Sequence, residues 1–184
     1  GFEADDIIGT MSYQVDEEEF EVFMVTPDKD YAQLVKENVF LYKPKFRGGG
    51  YDVLGPDEVT EKFGLPPNQI IDFLGLKGDA VDNIPGIPKI GDKTAVSLLQ
   101  EFGSVENIIE NVESITKKSI KKTVEEHSEQ GLLSKRLATI KLDVPIEWTS
   151  EELKLEHADL ESLMTLMGEL EFKGITKRIL TSRF

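Results

Sequence analysis

The most constraining feature of the sequence is the segment GLKGDAVDNIPGIPKIGDKTAVSLL, residues 75–99. A turn rich in glycine and proline separates a short apolar stretch from an amphipathic helix, whose apolar stripe contains Ala95, Leu98, Leu99 and Phe102. Asp92 is the expected N-cap of this helix, and Gly103 marks its end. The segment therefore predicts two helices joined by a tight hairpin, within a second half of the chain that has mostly helical patterns.

The first half of the chain has the pattern of an α/β region. Residues 4–11 place apolar side chains on one face of a helix. EVFMVT, residues 21–26, is a nearly continuous apolar run, which predicts a strand buried on both faces. A second strand at 39–44 and a returning arm at 51–54 complete the expected sheet. We place the boundary near residue 65, which gives an α/β region, 1–65, and a helical region, 66–184, with the hairpin module at about 84–112.

Composition limits the functional classes. The net charge of −14 argues, taken alone, against a nucleic-acid binder, although local patches can be basic and a cluster of carboxylates can be offset by bound metal. There is no apolar run of the roughly 18 residues that span a bilayer, and GFEADDII has no basic signal-peptide region. The absence of cysteine fits a reducing, cytoplasmic compartment. A first residue other than methionine is expected of an internal fragment.

Three clusters of carboxylates stand out: Glu3, Asp5 and Asp6; Asp28 and Asp30; Asp79 and Asp82. The first opens a helix, where anions also simply offset the helix dipole. The second follows a predicted strand, where ligands bind in α/β folds but where a solvated turn is equally consistent. The third has the i, i+3 spacing of one helical face, and a loop cap is its alternative.

Taken together, the three clusters predict a metal centre if the fold brings them together. Seven carboxylates without histidine or cysteine suit a hard cation such as Mg²⁺ or Mn²⁺. Two such ions can activate water and stabilise a leaving oxygen in phosphodiester hydrolysis. The sequence contains no EF-hand loop.

The hairpin carries features of a phosphate contact. Gly86 and Gly91 permit close backbone approach, and Lys89 and Lys93 supply positive charge. Such a contact would be independent of base sequence, because phosphates position a protein without specifying the bases. An ordinary interhelical turn is the alternative. The lysine run TKKSIKK, residues 116–122, is likewise open to two interpretations, a DNA-tracking surface or a solvated helix face.

The segments FEADDIIGT, TPDKDYAQLV, GLKGDAVDNIPGIPKIGDKTA and EFGSVENIIEN, in this order, resemble the 5′-nuclease family found in bacterial DNA polymerase I and related to phage 5′-exonucleases and flap endonucleases. The resemblance covers roughly residues 1–145. It implies an α/β, PIN-like core that lacks its N-terminal part here, followed by a mostly helical region with a helix–hairpin–helix (H2TH-type) module. It also implies two-metal removal of 5′ flaps and RNA primers in DNA replication and repair.

The resemblance assigns roles by position. Glu3, Asp5, Asp6, Asp28, Asp30, Asp79 and Asp82 match the family's catalytic metal cluster, with Glu3 and Asp5 as ligands of the first metal and the others toward the second. The expected DNA-binding residues are Gly86, Lys89, Gly91, Lys93 and Thr94, and the hairpin of relatives can also hold a monovalent cation, K⁺ or Na⁺. The implied partners are sequence-independent 5′-flap, nicked or RNA-primer duplexes and the polymerase portion of the same parent chain, associated with the nucleoid rather than a membrane.

Two departures from the family pattern change the expectations. Further metal-binding aspartates, basic residues and the first strand lie upstream of EADD in the family, so we expect this chain by itself to have little or no activity. The hairpin tip has Lys89 where the family usually has glycine, which costs about 1 kcal/mol if that position needs a positive φ. A non-catalytic helix–hairpin–helix binding module and a protein-interaction domain remain the alternative hypotheses.

Overall fold

A small mixed sheet and a preceding helix open the computed structural model, which describes residues 1–45, 49–155 and 159–181. Helix α1 spans Ala4–Gln14, and strands β1, β2 and β3 span Val22–Val25, Val39–Pro44 and Tyr51–Leu54. In the order β1-β2-β3, β1 pairs with β2 in parallel and β2 pairs with β3 in antiparallel fashion. This arrangement confirms the predicted mixture of helices and strands.

The burial predicted for β1 is wrong, and the apolar face predicted for α1 is not the face that packs most closely. Strand β1 is buried at Met24, whereas Phe23 and Val25 are 48% and 64% exposed, because only one face of the sheet packs on the core. In α1, Ile7 and Ile8 are exposed, and the helix instead packs through small residues such as Gly9. Ile140 and Leu142 approach this glycine so closely that a Cβ would lie 2.9 Å from each.

The helical region surrounds the central helix α3. Helices α2 to α6 span Pro56–Phe63, Ile70–Lys77, Asp92–Phe102, Val105–Glu110 and Lys118–Ala138. Short 3₁₀ helices occur at Asp30–Leu34, Pro67–Gln69 and Val112–Ser114. One core of buried hydrophobic side chains runs continuously from the sheet through α3 to α6. The hairpin and the carboxylates are therefore held on a rigid scaffold.

A buried ion pair joins three of these helices. Asp72 of α3 is 6% exposed, and its Oδ1 atom lies 2.7 Å from Nζ of Lys135 in α6 and accepts the Val105 N–H at 2.8 Å. The Lys135 ammonium also contacts Glu106 of α5 at 2.7 Å. Because charges removed from water need partners, this network fixes α5 and α6 on α3.

Residues 146–184 form a second compact unit, distinct from residues 1–145. Its helices α7 and α8 span Leu160–Glu169 and Lys173–Thr181. The Asp159 carboxylate caps α7 by accepting the N–H groups of Glu161 and Ser162. Within the described ranges, no helix combines the length and apolar character that a membrane span requires.

Candidate metal centre and nucleic-acid interface

The three carboxylate clusters meet at one cleft in the unit of residues 1–145. The cleft has a volume of about 790 Å³, and its lining includes six of the seven predicted acidic residues: Glu3, Asp5, Asp6, Asp28, Asp30 and Asp82. The seventh, Asp79, lies beside them, because carboxylate oxygens of Asp30, Asp79 and Asp82 all fall within 4.8 Å of one another. Residues that are up to 79 positions apart in the sequence therefore share one site.

The first cluster is held at the start of α1. Asp6 has both oxygens engaged by the backbone, since Oδ2 accepts the Glu3 N–H at 3.1 Å and Oδ1 accepts the Lys141 N–H at 2.8 Å. Asp5 Oδ1 accepts the Asp6 N–H at 3.0 Å. Thr10 adds a second link to the same segment through hydrogen bonds with Lys141 and Val144. Asp6 thus positions the cluster. Glu3 and Asp5 have more carboxylate oxygen atoms available to bind a cation.

The second cluster follows β1 and turns into a 3₁₀ helix. Asp28 Oδ1 accepts the Asp30 N–H at 3.0 Å, which fixes the turn. The pKa of Asp30 is raised to about 6, chiefly by burial and then by the negative charges of Asp28, Asp79 and Asp82, against the opposing effect of Lys29. Among the described residues, the buried Oδ1 atom of Asp30 has no hydrogen-bond partner. The Asp30 carboxylate therefore has too little positive charge and too few hydrogen-bond donors around it.

The third cluster lies in the loop after α3. Asp79 and Ile84 exchange backbone hydrogen bonds of 2.9 and 2.7 Å, so the intervening residues form a closed turn that carries Asp82. Asp79 is almost completely buried, and its side chain pairs with Lys29 and accepts the Val81 N–H at 2.8 Å. Burial alone would raise the pKa of Asp79, but the hydrogen bonds from Lys29 and Val81 outweigh burial and lower it.

The donor set fits a hard divalent cation. All the candidate ligand atoms are carboxylate oxygens, which Mg²⁺ and Mn²⁺ prefer over soft-metal ligands. A cation near Asp30 would also satisfy its unpartnered oxygen and offset the repulsion that raises its pKa. Tyr31 lies in the same lining, where burial, followed by the charges of Asp5 and Asp28, raises the pKa of its hydroxyl.

The hairpin after α3 depends on a contact between two glycines. Gly78 and Gly86 have φ values of +77° and +61°. A Cβ on Gly86 would lie 2.3 Å from the Gly78 nitrogen, and a Cβ on Gly78 would lie 2.5 Å from the Ile84 carbonyl oxygen. Since these neighbours are backbone atoms, only glycine fits at either position. The hairpin and the Asp79–Asp82 turn are therefore built on the same backbone crossing.

The hairpin tip presents the predicted DNA-binding residues at the start of α4. Lys89, Gly91 and Lys93 are exposed, Thr94 is partly exposed, and Gly86 is buried at the crossing. The expected N-cap at Asp92 is wrong by one residue: Gly91 is the N-cap, with its carbonyl accepting the N–H groups of Thr94 and Ala95. Asp92 instead occupies the first helical position, where its Oδ1 pairs with Lys77 at 2.7 Å.

Lys89 has a φ of +66°, so the condition under which lysine is costly at this position is met. Lys89→Gly should therefore raise the stability of the protein by about 1 kcal/mol, because glycine adopts this conformation without a Cβ penalty. The same substitution removes a cation from the hairpin tip and should lower the salt dependence of DNA binding. Thermal melting and salt-titrated binding measure the two effects. A loss of stability would contradict the assignment of strain to Lys89.

Three basic residues in or beside the cleft were not singled out from the sequence, and one of them, Lys141, pairs with Asp143 at 2.5 Å. Lys29 lies between Asp28 and Asp30, and its pKa is raised chiefly by the hydrogen bond to Asp79. Arg136 lines the cleft from the end of α6 and forms no ion pair with any residue that the structure describes. The DKD triplet was a local signal for Lys29, whereas only the folded position of α6 reveals Arg136.

Solved structures share this fold. A bacteriophage T5 5′-exonuclease with bound divalent zinc ions superposes with a TM-score of 0.67 at 23% identity, covering 75% of this chain and 50% of that chain. A bacteriophage T5 flap endonuclease in complex with DNA and metal ions gives a TM-score of 0.66 at 22% identity, covering 77% and 50%. At these identities, the matches establish a common fold.

Sequence relatives are more similar. DNA polymerase I of Bacillus caldotenax is 40% identical over 178 residues, which are 97% of this chain and 20% of that protein. A 5′-3′ exonuclease of Buchnera aphidicola is 41% identical over 85% of this chain and 55% of its own length, and one of Aquifex aeolicus is 38% identical over 97% and 59%. The chain thus spans a fifth of the polymerase and somewhat more than half of the exonucleases.

Two family models divide the chain between them. The N-terminal resolvase-like domain of the 5′-3′ exonucleases matches residues 1–64, and their C-terminal SAM fold matches residues 65–161. Together the two models account for the sheet, the acidic cleft and the helix–hairpin–helix segment. The chain therefore belongs to the 5′-3′ exonuclease family.

Proposed function

We propose that this chain is the metal- and DNA-binding part of a 5′-3′ exonuclease and flap endonuclease that hydrolyses phosphodiesters of 5′ flaps and primers. The convergence of three separate carboxylate clusters in one cleft carries the proposal. A module that only binds duplex DNA has no use for so many carboxylates in one place, because they repel phosphate. The parent protein would act in DNA replication and repair, at the nucleoid in the cytoplasm, next to a polymerase portion.

The cations in this proposal are two Mg²⁺ or Mn²⁺ ions. Asp30, Asp79 and Asp82 would hold one, with Asp28 nearby, and Glu3 and Asp5 would hold the other, with Asp6 fixing their position. When bound, such ions supply activation of water and stabilisation of the leaving oxygen. The zinc-containing T5 5′-exonuclease supports a divalent metal in this fold, and the all-carboxylate donor set favours Mg²⁺ or Mn²⁺ here.

Arg136 has a distinct part in the same cleft. Its guanidinium lines a surface that is otherwise dominated by carboxylates, and it has no ion-pair partner among the described residues. A phosphodiester entering the cleft meets repulsion from the carboxylates unless cations neutralise them. Arg136 would therefore attract and orient the phosphate while the acidic side chains hold the metal.

The hairpin supplies the contact to the duplex. Lys89 and Lys93 are exposed at its tip, and neither has an ion-pair partner within the described ranges. The T5 flap endonuclease of similar fold was solved with DNA, which supports a nucleic-acid partner for this chain. We also propose that backbone carbonyls of the hairpin hold a monovalent cation, K⁺ or Na⁺. Flap, nicked and RNA-primer duplexes would bind alike, because the contacts are to phosphates.

Lys93→Ala should weaken binding to duplexes of different sequence by the same factor. It should also reduce the slope of log K against log salt by about 0.9, the value for one phosphate contact. The measurement is a salt titration of binding to a labelled 5′-flap duplex in Ca²⁺, which limits any cutting. Lys93→Arg, which keeps the charge, serves as the control and should preserve the slope.

Either of two results would count against the duplex contact. An unchanged slope in Lys93→Ala would remove Lys93 from the interface, and a loss that depends on base sequence would exclude a phosphate role. Failure of the unmodified chain to bind at low salt would refute the DNA-binding half of the proposal. Metal binding is tested separately, by the response of protein stability to Mn²⁺. DNA binding and metal binding can therefore be rejected independently of each other.

A further inference from the structure

A lysine-rich segment at the start of α6 has no role in the cleft or at the hairpin tip. Residues 117–122 contain four lysines in a chain of net charge −14, and α6 begins at Lys118. No acidic residue occupies the first turn of this helix. Positive charge at a helix N-terminus opposes the helix dipole and costs about 0.3–1 kcal/mol. The stability of α6 therefore does not account for these lysines.

The four lysines differ in their acidic partners. Lys121 pairs with Glu113 at 2.5 Å, and Lys122 forms a longer, exposed contact of 3.6 Å with Glu126. Lys117 and Lys118 are exposed and have no ion-pair partner in the part of the chain that the structure describes. Since an exposed i, i+4 pair contributes only a few tenths of a kcal/mol, Lys122 is also free to exchange its partner.

The hairpin runs along α6 toward these lysines. The Gly86 N–H donates to Ser134 at 3.0 Å, Gly131 packs against Ile87, and the Thr123 hydroxyl donates to the Pro88 carbonyl at 3.2 Å. As the hairpin proceeds from Gly86 to Pro88, its contacts thus move from the end of α6 toward its beginning. Lys89 follows Pro88, so the hairpin tip and the first turns of α6 share one end of the unit.

Ion pairing, rather than helical angle, distinguishes the lysines of α6. At about 100° per residue, Lys122 and Lys118 lie about 100° and 140° from Thr123, the residue that contacts the hairpin, and about 40° from each other. Lys121 lies about 160° from Thr123, and its pairing with Glu113 holds it toward the segment that follows α5. Lys118 and Lys122 are therefore the pair that can extend the basic surface of the hairpin.

We propose that Lys118 and Lys122 extend the duplex contact of the hairpin by two further phosphates on the DNA backbone. The inference rests on the proposed function, since it assumes that Lys89 and Lys93 face the same duplex. Charge complementarity and continuity with the hairpin favour a nucleic-acid backbone as the occupant of this surface. The contact specifies no base sequence and lengthens the stretch of duplex that the protein grips.

The experiment compares the salt dependence of flap-duplex binding in Ca²⁺ for three variants of α6. Lys118→Gln/Lys122→Gln should reduce the slope of log K against log salt by about 1.8, from two contacts of about 0.9 each. Lys118→Arg/Lys122→Arg should keep the original slope, because the charge is retained. Lys121→Gln removes one charge three residues from Lys118 and should leave the slope unchanged. Thermal melting verifies that each variant is folded, as expected for exposed side chains.

The outcomes separate this inference from the function on which it rests. An unchanged slope in Lys118→Gln/Lys122→Gln, together with a reduced slope in Lys93→Ala, would overturn the inference and leave the hairpin contact in place. A reduction in Lys121→Gln as large per charge as in the double variant would also overturn it, because it would indicate a general charge effect. Unchanged slopes in all variants, including Lys93→Ala, would refute the hairpin contact as well.

Discussion

Gly86→Ala should destabilise the protein by about 3 kcal/mol. A Cβ at this position would lie 2.3–2.5 Å from backbone atoms of Lys77 and Gly78, and backbone cannot move aside as a flexible side chain can. Alanine would also be forced into a φ of +61°. Overpacking contributes about 1–3 kcal/mol and the left-handed conformation about 1–2 kcal/mol, so their sum is a large fraction of ordinary stability.

Thermal melting measures this effect, with an expected decrease in Tm of about 6–12 °C. Gly91→Ala is the matched control five residues away in the same hairpin. Gly91 has a φ of −101°, and a Cβ there would meet no atom within 4 Å, so its substitution should cost less than about 1 kcal/mol. Similar losses in both variants would mean that the crossing of Gly78 and Gly86 does not hold the hairpin together.

The parts of the fold that the sequence predicted are those fixed by local chemistry. Proline at position 56 and glycine at position 64 are local sequence signals for the limits of α2, and Gly64 ends that helix with a φ of +72°. Serine is a preferred N-cap residue, and the Ser104 hydroxyl accepts the Asn107 N–H at the start of α5. Lys89 has a positive φ at the position where the family pattern has glycine, although a lysine there did not by itself establish that conformation. Each of these features depends on a few neighbouring residues.

The failures concern features that the tertiary structure decides. The apolar run of β1 did not reveal which face of the sheet packs on the core, and Phe23 stacks on Phe40 at a ring distance of 5.3 Å on the exposed side. The apolar face of α1 had the correct period, but Gly9 provides the close packing. Periodicity identifies a face, whereas the neighbouring elements determine whether that face is covered.

The acidic clusters could be predicted from the sequence only in part. Their residue types were evident from the sequence, and each cluster alone had a structural explanation that was equally consistent. Only the fold joins the end of β1 to the loop after α3, where Lys29 of one segment pairs with Asp79 of the other. This ion pair has no signal in the spacing of either segment, because the two residues are separated by two strands, two α-helices and two 3₁₀ helices.

Asp30→Asn should make the metal-free protein more stable at pH 7.5 and remove most of its stabilisation by Mn²⁺. The pKa of Asp30 is raised from 3.8 to about 6, chiefly by burial and then by Asp28, Asp79 and Asp82, while Lys29 opposes the shift. Between about pH 4 and 6 the folded protein binds more protons at this site than the unfolded chain. Stability of the metal-free protein therefore falls as the pH rises through this window.

The full shift corresponds to about 3 kcal/mol, and partial exposure of Asp30 to water reduces this to roughly 1–2 kcal/mol. Asparagine cannot ionise, so Asp30→Asn should raise the Tm at pH 7.5 without metal by about 2–8 °C and flatten its dependence on pH. In the unmodified protein, Mn²⁺ at 100 times its Kd should add about 2.7 kcal/mol. The variant should lose most of this gain, because its amide is a weaker ligand than a carboxylate.

Thermal melts at pH 5 and pH 7.5, with and without Mn²⁺, measure both the pH dependence of Tm and the stabilisation by the metal. Glu129→Gln removes a carboxylate from an exposed position of α6 outside the cleft lining, and it should change neither the metal-free Tm nor the response to Mn²⁺. A lower metal-free Tm in Asp30→Asn would show that the carboxylate stabilises the fold. That result would reject the metal centre in favour of a purely structural role for the acidic cleft. In a cation site without its cation, the carboxylates repel one another, so removing one negative charge should stabilise the metal-free protein.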